Sequence, residues 1–356
     1  MHPSGRSPSK LESRTLGSTG VEVTCLGLGG GALGGLYEPV AADSAYETVR
    51  RAYDLGIRYF DTAPMYGHGR SEKRLGEALR GYDRSSFVLS TKIGIMIAPI
   101  EGDDVSLESR YADPFVVDGR YDFSYDACLR SLEASMNRLQ TDRIDVVYIH
   151  DPDEGNSLLP SDKQVPVDHF AEVMAGAYPA LHELREQRVI RAIGVGLNDA
   201  RLLAEFGRAG QFDCFLLAGR YTLLEQGGLD DLFPLCQERG ISVVVGGVFN
   251  SGILAVGSAD ARATYNYDNA NPSTLTRVRG IETVCSRHGV VLSAAALQFP
   301  LGHQVVAAVI PGARSAGEVD ANVSSMSDEI PSSFWKDLRH ENLLDRRCPL
   351  PHSRQS

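Results

Sequence analysis

Four ionisable side chains stand where short apolar runs of the sequence end. Asp61, Lys92 and His150 close three successive β-rich runs, and Tyr66 follows Asp61 by five residues. A carboxylate, an amine, an imidazole and a phenol are groups that can hold and transfer protons in general acid–base catalysis. Each has a plainer alternative, since Asp61 could form a turn, Lys92 could end a strand in solvent, and His150 could be a hydrogen-bonded structural residue. Their recurrence on three consecutive runs favours a catalytic site.

The elements that must position these residues form a recurring pattern, in which an apolar run, a polar or glycine turn and a helical-period segment follow one another eight times. The predicted strands are VTCLGLG (23–29), IRYFDT (57–62), FVLSTK (87–92), IDVVYIH (144–150), IRAIGVG (190–196), DCFLLAG (213–219), ISVVVGG (241–247) and VVAAVIPG (305–312). Most are apolar throughout, as expected of parallel strands buried on both faces. Eight strand–helix units predict an α/β fold, a (β/α)8 TIM barrel with catalytic residues at the carboxyl ends of its strands.

The flanking segments complete the predicted architecture. The segment SRTLGSTGVEVTCLG (13–27) predicts an N-terminal β-hairpin that seals the bottom of the barrel. We place a single domain over residues 14–345 and expect disordered tails at 1–13 and 348–356, which are polar and rich in proline and serine. Two long connections, Gly94–Phe123 and Asp151–Val167, follow strand ends and are expected over the catalytic face. For Glu101–Ser109, a disordered insertion is an equally weighted alternative.

Composition narrows the class of protein. The chain has 356 residues, 43% of them hydrophobic, with a net charge of −11 and a pI near 5.3. The acidic balance argues against nucleic-acid partners and anionic membrane surfaces. No apolar stretch reaches the roughly 20 residues of a membrane span, and the N-terminus lacks an apolar signal region, which favours the cytoplasm. Six widely spaced cysteines predict reduced thiols and no metal site; they are Cys25, Cys128, Cys214, Cys236, Cys285 and Cys348.

A glycine-rich segment after the first strand could be mistaken for a dinucleotide-binding turn. Gly29, Gly31 and Gly34 have the spacing of the Rossmann fingerprint. A Rossmann turn enters a helix at once, whereas residues 37–39 intervene here before a helix expected near Asp43. We interpret the glycines as a tight loop at the barrel mouth, where backbone approaches a flat nicotinamide. Simple turn glycines remain the alternative.

Longer motifs resemble a known family. The segments GIRYFDTAPMYGHGRSEKRLGEALRG, VLSTKIG, LQTDRIDVVYIHDPD and IRAIGVGLND resemble the aldo-keto reductase superfamily, with matching order and spacing across about residues 14–325. The resemblance implies a nicotinamide-dependent oxidoreductase that needs no metal. It also implies that Tyr66 is the proton donor or acceptor, that Lys92 lowers its pKa, that Asp61 pairs with Lys92, and that His150 orients the substrate oxygen. These roles agree with physical chemistry, because a phenol needs an adjacent cation to ionise near neutral pH.

The resemblance also places the cofactor. VIPGARSAGEVDANV (309–323) is similar to the segment that holds the adenosine end of the dinucleotide. It implies that Asn322 contacts the adenine and that the backbone near Gly312 faces the pyrophosphate or ribose. Glu318 stands where NADPH-preferring members often carry a basic residue, and its charge predicts NAD over NADP. Arg314 could bind a phosphate, which leaves NADP open.

Around the nicotinamide the sequence departs from the family pattern. Asn198 after strand five matches a carboxamide ligand, but Ala218 replaces the expected glutamine and Gly246 the expected aromatic residue. Tyr221 or Phe249 could rebuild the ring packing, and ordinary core positions are the alternative for both.

The substrate class follows from a narrower resemblance. YDFSYD (121–126), IHDPD (149–153) and LLAGRYTLLEQ (216–226) are similar to a bacterial subgroup of D-threo-aldose (L-fucose) and pyridoxal dehydrogenases, which oxidise hemiacetals to lactones with NAD. A sugar or aldehyde is therefore the expected partner. Loop residues that could bond substrate hydroxyls, or equally be solvated surface, are His68, Arg120, Asp122 and Asp151. The alternatives are a general aldehyde or ketone reductase and, more remotely, a non-catalytic regulatory subunit of an ion channel.

Overall fold

The computed structural model of the chain describes residues 11–97, 119–155, 169–260 and 263–351. The strands are β1 (Ser13–Leu16), β2 (Val21–Thr24), β3 (Leu28–Gly29), β4 (Tyr59–Asp61), β5 (Val88–Ile93), β6 (Ile95–Ile97), β7 (Gly119–Tyr121), β8 (Val146–His150), β9 (Ala192–Leu197), β10 (Cys214–Ala218), β11 (Ser242–Gly246), β12 (Thr264–Tyr265), β13 (Asp268–Asn269) and β14 (Val306–Ile310). The helices are α1 (Ala42–Asp54), α2 (Arg70–Leu79), α3 (Tyr125–Leu139), α4 (Phe170–Glu172), α5 (Tyr178–Glu186), α6 (Ala200–Ala209), α7 (Leu232–Arg239), α8 (Ile253–Val256), α9 (Pro272–His288), α10 (Leu292–Gln298), α11 (Ala316–Ser327) and α12 (Ser332–His340).

Eight of these strands form one parallel sheet that closes on itself. Their order in the sheet is β3, β4, β5, β8, β9, β10, β11 and β14. Parallel bridges from Leu26 to Val309 and from Gly29 to Gly312 join the first strand to the last. The predicted α/β barrel is confirmed, with seven of its eight strands at the expected places in the chain.

Among the barrel strands, the first differs from its prediction. Residues 23–29 are not one strand, because Val21–Thr24 pairs with β1 in the hairpin and only Leu28–Gly29 pairs with β4. Thr24 explains the break: its hydroxyl donates to the Leu26 carbonyl at 2.8 Å and accepts from the Arg58 backbone N–H at 3.0 Å. A side chain that bonds nearby backbone groups offers the chain an alternative to the sheet ladder.

The hairpin closes the bottom of the barrel, as predicted. Leu16, Val21 and Val23 are fully buried and pack in one cluster with inward-facing residues of the barrel strands. Side-chain alternation along β5 then fixes the site, because Val88 belongs to this inner cluster while Leu89 belongs to the outer one beneath the helices. Ser90 and Lys92 therefore point into the barrel.

Buried residues at both ends of the described chain lie within segments that the composition predicted to be disordered tails. Leu11 and Cys348, both assigned to tails, are buried, and the Cys348 carbonyl accepts a hydrogen bond from Arg339. All six cysteines are buried and outside disulfides. The first long connection contains the antiparallel pair β6–β7, while Glu101–Ser109 and residues 156–168 lie outside the described residues. Among the described helices, none has the length and apolar character of a membrane span.

Candidate active site

Asp61 and Lys92 form a buried ion pair at the upper end of the barrel interior. The Lys92 ammonium donates to Oδ2 of Asp61 at 2.6 Å and to the Thr62 carbonyl at 2.8 Å. The two side chains are 2% and 1% exposed respectively. A lysine this deep stays charged only where carboxylate and carbonyl oxygens replace its water. The pair therefore supplies a fixed positive charge on the side of Lys92 away from Asp61.

Tyr66 and His150 lie beside that charge. The Lys92 nitrogen is 4.7 Å from the centroid of the Tyr66 ring. The rings of Tyr66 and His150 meet edge to face at 5.7 Å and 85°. Tyr66 is half-buried, and its ring faces the cation. The structure thus brings all four predicted residues into one site, in which a cation can favour an ionised phenol.

Two glycines position the Tyr66 loop. A Cβ on Gly34 would lie 2.6 Å from the Tyr66 carbonyl carbon, and one on Gly67, whose φ is +62°, would lie 2.3 Å from the Gly34 oxygen. The glycine-rich segment is therefore needed for contact between its loop and the Tyr66 turn. The expected approach of this backbone to a nicotinamide stays a prediction. Helix α1 begins at Ala42, next to the predicted start.

His150 is held as a neutral imidazole. Burial, together with the charge of Lys92, lowers the pKa of His150 well below its usual value. Its Nδ1 has no hydrogen-bond partner among the described residues, and its Nε2 lies 3.5 Å from Oδ2 of Asp151. Leaving an acceptor nitrogen unpaired is easier than leaving an N–H unpaired, which favours the tautomer with the proton on Nε2. His150 can then donate to an oxygen at the rim.

Asp151 is a second carboxyl group at the rim, in the strained backbone region at φ +41°. Its side chain is 18% exposed. Burial and the nearby Asp153 raise the pKa of Asp151 to about 8. Of the predicted substrate residues, Asp151 is the one that lies next to His150, and at neutral pH it is mostly the protonated acid, able to donate as well as accept.

Two other predicted substrate residues lie elsewhere. Arg120 is 81% exposed and donates to Asp122 at 2.7 Å. Asp122 also accepts from the backbone N–H and hydroxyl of Ser124, just before helix α3. Because side chains alternate along β7, Tyr121 points to the face opposite to Arg120 and Asp122. Its ring stacks on that of His169, with the ring centroids 6.0 Å apart. Burial and, after it, the charge of Asp151 raise the pKa of Tyr121. Tyr121 is the residue of this segment that faces the rim, and the period of two was the signal for it.

His68 is buried two residues after Tyr66, with φ +52°. It lies in the same turn as the phenol, between β4 and α2. Its place beside Tyr66 keeps it a candidate for substrate contact.

Two asparagines flank Gly219, where the backbone carries no side chain, near the ends of β9, β10 and β11. Asn198 donates to the Ala218 carbonyl at 2.7 Å, and Asn250 donates to the Gly219 carbonyl at 3.1 Å. A Cβ on Gly219 would lie 3.6 Å from the Asn250 amide and 3.9 Å from that of Asn198. Asn250 is buried and both ends of its amide are bonded within the protein, since its oxygen accepts from Thr222, so it holds the backbone at Gly219 in place. Asn198, which the sequence predicts as a carboxamide ligand, lies on the other side of this glycine.

Tyr221 does not belong to this pocket. It is fully buried, and its ring lies 4.5 Å from Phe233 and 5.2 Å from Phe299 in the outer core. Phe249 is half-buried and packs against the same outer core. The chain after β10 turns beneath α7, so the third residue past the strand end faces the helices rather than the mouth. The expectation that Tyr221 packs the nicotinamide is therefore wrong.

The predicted adenosine-binding residues lie together on the last strand–helix connection. Gly312 bridges Gly29, and Arg314, Glu318 and Asn322 follow on the loop and on α11. Arg314 donates to Oε1 of Glu318 at 2.9 Å and to Oε2 of Glu38 at 2.7 Å. The Arg314 backbone N–H also donates to Glu318 at 2.9 Å. Asn322 is half-buried one turn further on. The charge of Arg314 is therefore shared between two carboxylates.

The sequence did not reveal the β12–β13 hairpin that follows β11. Its turn residue Tyr267 stacks on Tyr37, in the loop after β3, with ring centroids 5.9 Å apart and an interplanar angle of 22°. Arg220 holds the hairpin through Asn266 at 2.9 Å. Burial and then Asp151 raise the pKa of Tyr267 to about 12, which places its phenol in the electrostatic field of the site.

Comparison with known proteins decides the family. The aldo/keto reductase family model matches residues 25–342. The chain belongs to the aldo/keto reductase family. It is 37% identical to pyridoxal 4-dehydrogenase of Microbacterium luteolum over 94% of this chain and 98% of that protein. It is 34% identical to D-threo-aldose 1-dehydrogenase of a Pseudomonas species over 92% and 96%.

Solved structures agree with this membership. The holo form of an aldo-keto reductase from Bacillus halodurans superposes with a TM-score of 0.72 at 25% identity, over 94% of this chain and 97% of that one. As an aldo/keto reductase the protein is an oxidoreductase enzyme of a family that uses nicotinamide cofactors. Within the described residues, no group of three or more His, Cys, Asp or Glu side chains could hold a metal ion.

Proposed function

We propose that this aldo/keto reductase oxidises the ring hemiacetal of an aldose to a lactone, with NAD as the electron acceptor and Tyr66 as the acid–base. The observation that supports this proposal is the buried Lys92–Asp61 pair, whose cation lies 4.7 Å from the Tyr66 ring, opposite the neutral His150. A fixed cation and a neutral donor around one phenol are what proton transfer to and from a hydroxyl requires.

Each residue has one task in the oxidative direction. The hydroxyl proton of the hemiacetal carbon passes to the ionised oxygen of Tyr66, and the Nε2–H of His150 holds that hydroxyl oxygen in place. The carbon loses a hydride, its C–O single bond becomes a double bond, and the ring product is a lactone. When bound, the nicotinamide supplies the hydride acceptor. We assign its carboxamide to Asn198.

The preference for NAD rests on the carboxylates around Arg314. A 2′-phosphate at this position would meet Glu318 and Glu38, which already share the Arg314 charge, whereas a free 2′-hydroxyl can donate to Glu318. We expect Glu318→Arg to raise the NADP-to-NAD ratio of kcat/KM by roughly tenfold or more. The matched control is Asp320→Arg, which adds the same charge on the same helix beside Arg51. An unchanged ratio in Glu318→Arg would remove this assignment.

Asp151, Tyr121 and Tyr267 indicate which class of substrate the site could take. The two curated relatives are named for pyridoxal and for D-threo-aldoses, and both kinds of molecule can close into cyclic hemiacetals. A carboxyl group at the rim suits neighbouring sugar hydroxyls, and we propose Asp151 and His68 as their contacts. Pyridoxal is the second candidate, because Tyr121 and Tyr267 offer ring faces at the same rim.

NADH absorbance with L-fucose, D-arabinose, pyridoxal and simple aldehydes tests the proposal. We expect turnover with at least one cyclic hemiacetal, and a lactone as product. Tyr66→Phe should bind NAD with unchanged affinity and lose most of kcat, since only the phenol oxygen is removed. No reduction of NAD by any of these compounds, with NAD bound tightly, would exclude the proposed activity.

A further inference from the structure

A line of hydroxyl groups leads from the barrel interior to Asp61. The Ser90 hydroxyl lies 2.7 Å from Oδ1 of Asp61 and 3.3 Å from the Tyr59 hydroxyl. The Tyr59 hydroxyl is 3.0 Å from that of Tyr148, which is 3.5 Å from the Cys214 sulfur. Ser90, Tyr59, Tyr148 and Cys214 are all fully buried. The line joins β4, β5, β8 and β10, and the acid–base chemistry described above uses none of its members.

The carboxylate fixes the direction of the hydrogen bond from Ser90. Ser90 has one proton, and the shorter bond to the charged oxygen takes it. With the Ser90 hydroxyl donating to Asp61, the 3.3 Å contact that Ser90 could otherwise donate across is open to the Tyr59 proton, and at the 3.0 Å contact between the two tyrosines either hydroxyl can be the donor. Burial raises the pKa of both tyrosines well above the ordinary value, so each keeps its proton. All three hydroxyls can therefore orient toward the charge of Asp61, in an arrangement where each bond strengthens the next.

Hydroxyl groups are unusual at these positions of the barrel core, so packing alone does not explain them. The remaining inward residues of the same cluster include Val88, Val146, Val244 and Ala308, the apolar types usual in a barrel core. Phenylalanine would fill the two tyrosine positions without a buried hydroxyl. Without Ser90, Oδ1 of Asp61 would lose the donor that it has opposite the Lys92 contact on Oδ2. A buried carboxylate is costly when one of its oxygens lacks a partner.

We propose that Ser90, supported by Tyr59 and Tyr148, is a positioning residue that keeps Asp61 charged and oriented and so sets the field of Lys92 on Tyr66. The inference rests on the proposed role of Tyr66. Loss of the Ser90 donor would favour transfer of the Lys92 proton to Asp61, which makes the pair neutral. Tyr66 would then ionise at higher pH. The titratable groups around the pair, on every element that faces it, are Tyr66, His150, Asp151, Tyr59, Tyr148 and Cys214.

The first test is the pH profile of kcat for oxidation in Ser90→Ala. We expect its rising limb to move to higher pH by about half a unit or more, and kcat at neutral pH to fall by roughly threefold to tenfold, with little change in KM. Ser90→Thr, which keeps the hydroxyl, should restore the wild-type limb. The matched control is Thr91→Val, because Thr91 donates at 2.7 Å to the buried carboxylate of Glu72 on the opposite face of β5. An equal shift in Thr91→Val, or none in Ser90→Ala, overturns the proposal.

Tyr59→Phe and Tyr148→Phe remove hydroxyls further along the line and retain the ring that packs the core. We expect smaller shifts in the same direction, larger for Tyr59→Phe than for Tyr148→Phe. These variants carry the test if Ser90→Ala does not fold, and unchanged profiles in both would overturn the proposal.

A second readout does not depend on turnover. Tyrosinate absorbs in the ultraviolet, so ionisation of tyrosine can be followed by a pH titration. For each background, subtracting the curve of the same protein carrying Tyr66→Phe leaves the ionisation of Tyr66. The midpoint of that difference curve should lie at higher pH in Ser90→Ala than in wild type and should not move in Thr91→Val. If the substrate panel fails but this shift is present, the proposed function is wrong and the positioning role stands. If the panel succeeds and the shift is absent, the positioning role is wrong.

Discussion

Two buried ion pairs lie on opposite faces of β5, and the protein uses them differently. Inside the barrel, Ser90 donates to Asp61, which pairs with Lys92; outside, Thr91 donates to Glu72, which pairs with Arg138 at 2.5 Å. Both hydroxyl-to-carboxylate distances are 2.7 Å. The chemistry of the two arrangements is nearly the same.

The cations make the difference. Arg138 is 16% exposed and joins α3 to α2, whereas Lys92 is 1% exposed and faces a half-buried phenol. The outer pair fastens two helices together, and its charge is partly met by solvent. The inner pair has no helices to join, and its positive end, the Lys92 ammonium, faces Tyr66. A buried ion pair is thus a functional device where its cation faces a titratable group, and a structural one where it does not.

Removing the inner cation should have the largest effect. We expect Lys92→Met to lower kcat by on the order of a thousandfold, because the phenol of Tyr66 loses the charge that favours its ionised form. The variant also leaves Asp61 as an uncompensated buried carboxylate, which reduces stability. Steady-state NAD reduction and urea unfolding measure the two effects.

The double variant Asp61→Asn with Lys92→Met separates charge balance from chemistry. It should regain part of the lost stability, since no buried charge remains, and stay as inactive as Lys92→Met. Recovery of activity in the double variant would contradict the role of the Lys92 field.

Breaking the outer pair should change stability and leave chemistry intact. Glu72→Gln removes the charge that pairs with Arg138 and keeps the side-chain shape, and we expect it to lower the free energy of unfolding by about 2–4 kcal/mol. Urea unfolding measures this loss. The kcat of the folded variant should stay within about twofold of wild type, since Glu72 faces away from the phenol. A large loss of kcat with an unchanged pH profile would show that α2 positions the Tyr66 turn.

The same strand shows what the sequence could predict. The barrel and the tetrad were accessible because parallel strands bury both faces and end at one rim, so three ionisable strand ends had to meet. Ser90 was not singled out, because a serine inside an apolar strand carries no signal until the register places Asp61 directly across from it. Alternation along β7 was available and favoured Tyr121 over Arg120 and Asp122.

Loops set the limit of such prediction. Tyr221 was misassigned because the direction of the chain beyond a strand end depends on the helix that packs there, here α7 through Phe233. The contact between Tyr37 and Tyr267 joins two loops that lie far apart in the sequence. The division of the first strand depends on two hydrogen bonds of Thr24, which a run of apolar residues does not reveal.

The smallest expected effect comes from the rim, where Asp151 is a carboxyl group without a cation paired to it in the described contacts. Its pKa is about 8 in the folded protein, against an ordinary value of 3.8. Between these values the folded state holds a proton that the unfolded state has released, so stability falls as pH rises through this window and is constant above it. Asp151→Asn removes this dependence, and its advantage in unfolding free energy over wild type should grow from pH 5 to pH 8.

We expect that advantage to reach on the order of 2 kcal/mol at pH 8, a value discounted because the side chain is partly exposed. His150 has the opposite slope, because its lowered pKa makes stability fall as pH drops below its ordinary value of 6.5. Wild type and variant must therefore be compared at the same pH, by urea unfolding at several values. A constant difference between them would mean that Asp151 is ionised in the folded protein across the whole range. In that case solvent at the rim would have to stabilise the charge of Asp151, since, unlike Asp61, it has no paired cation in the described contacts.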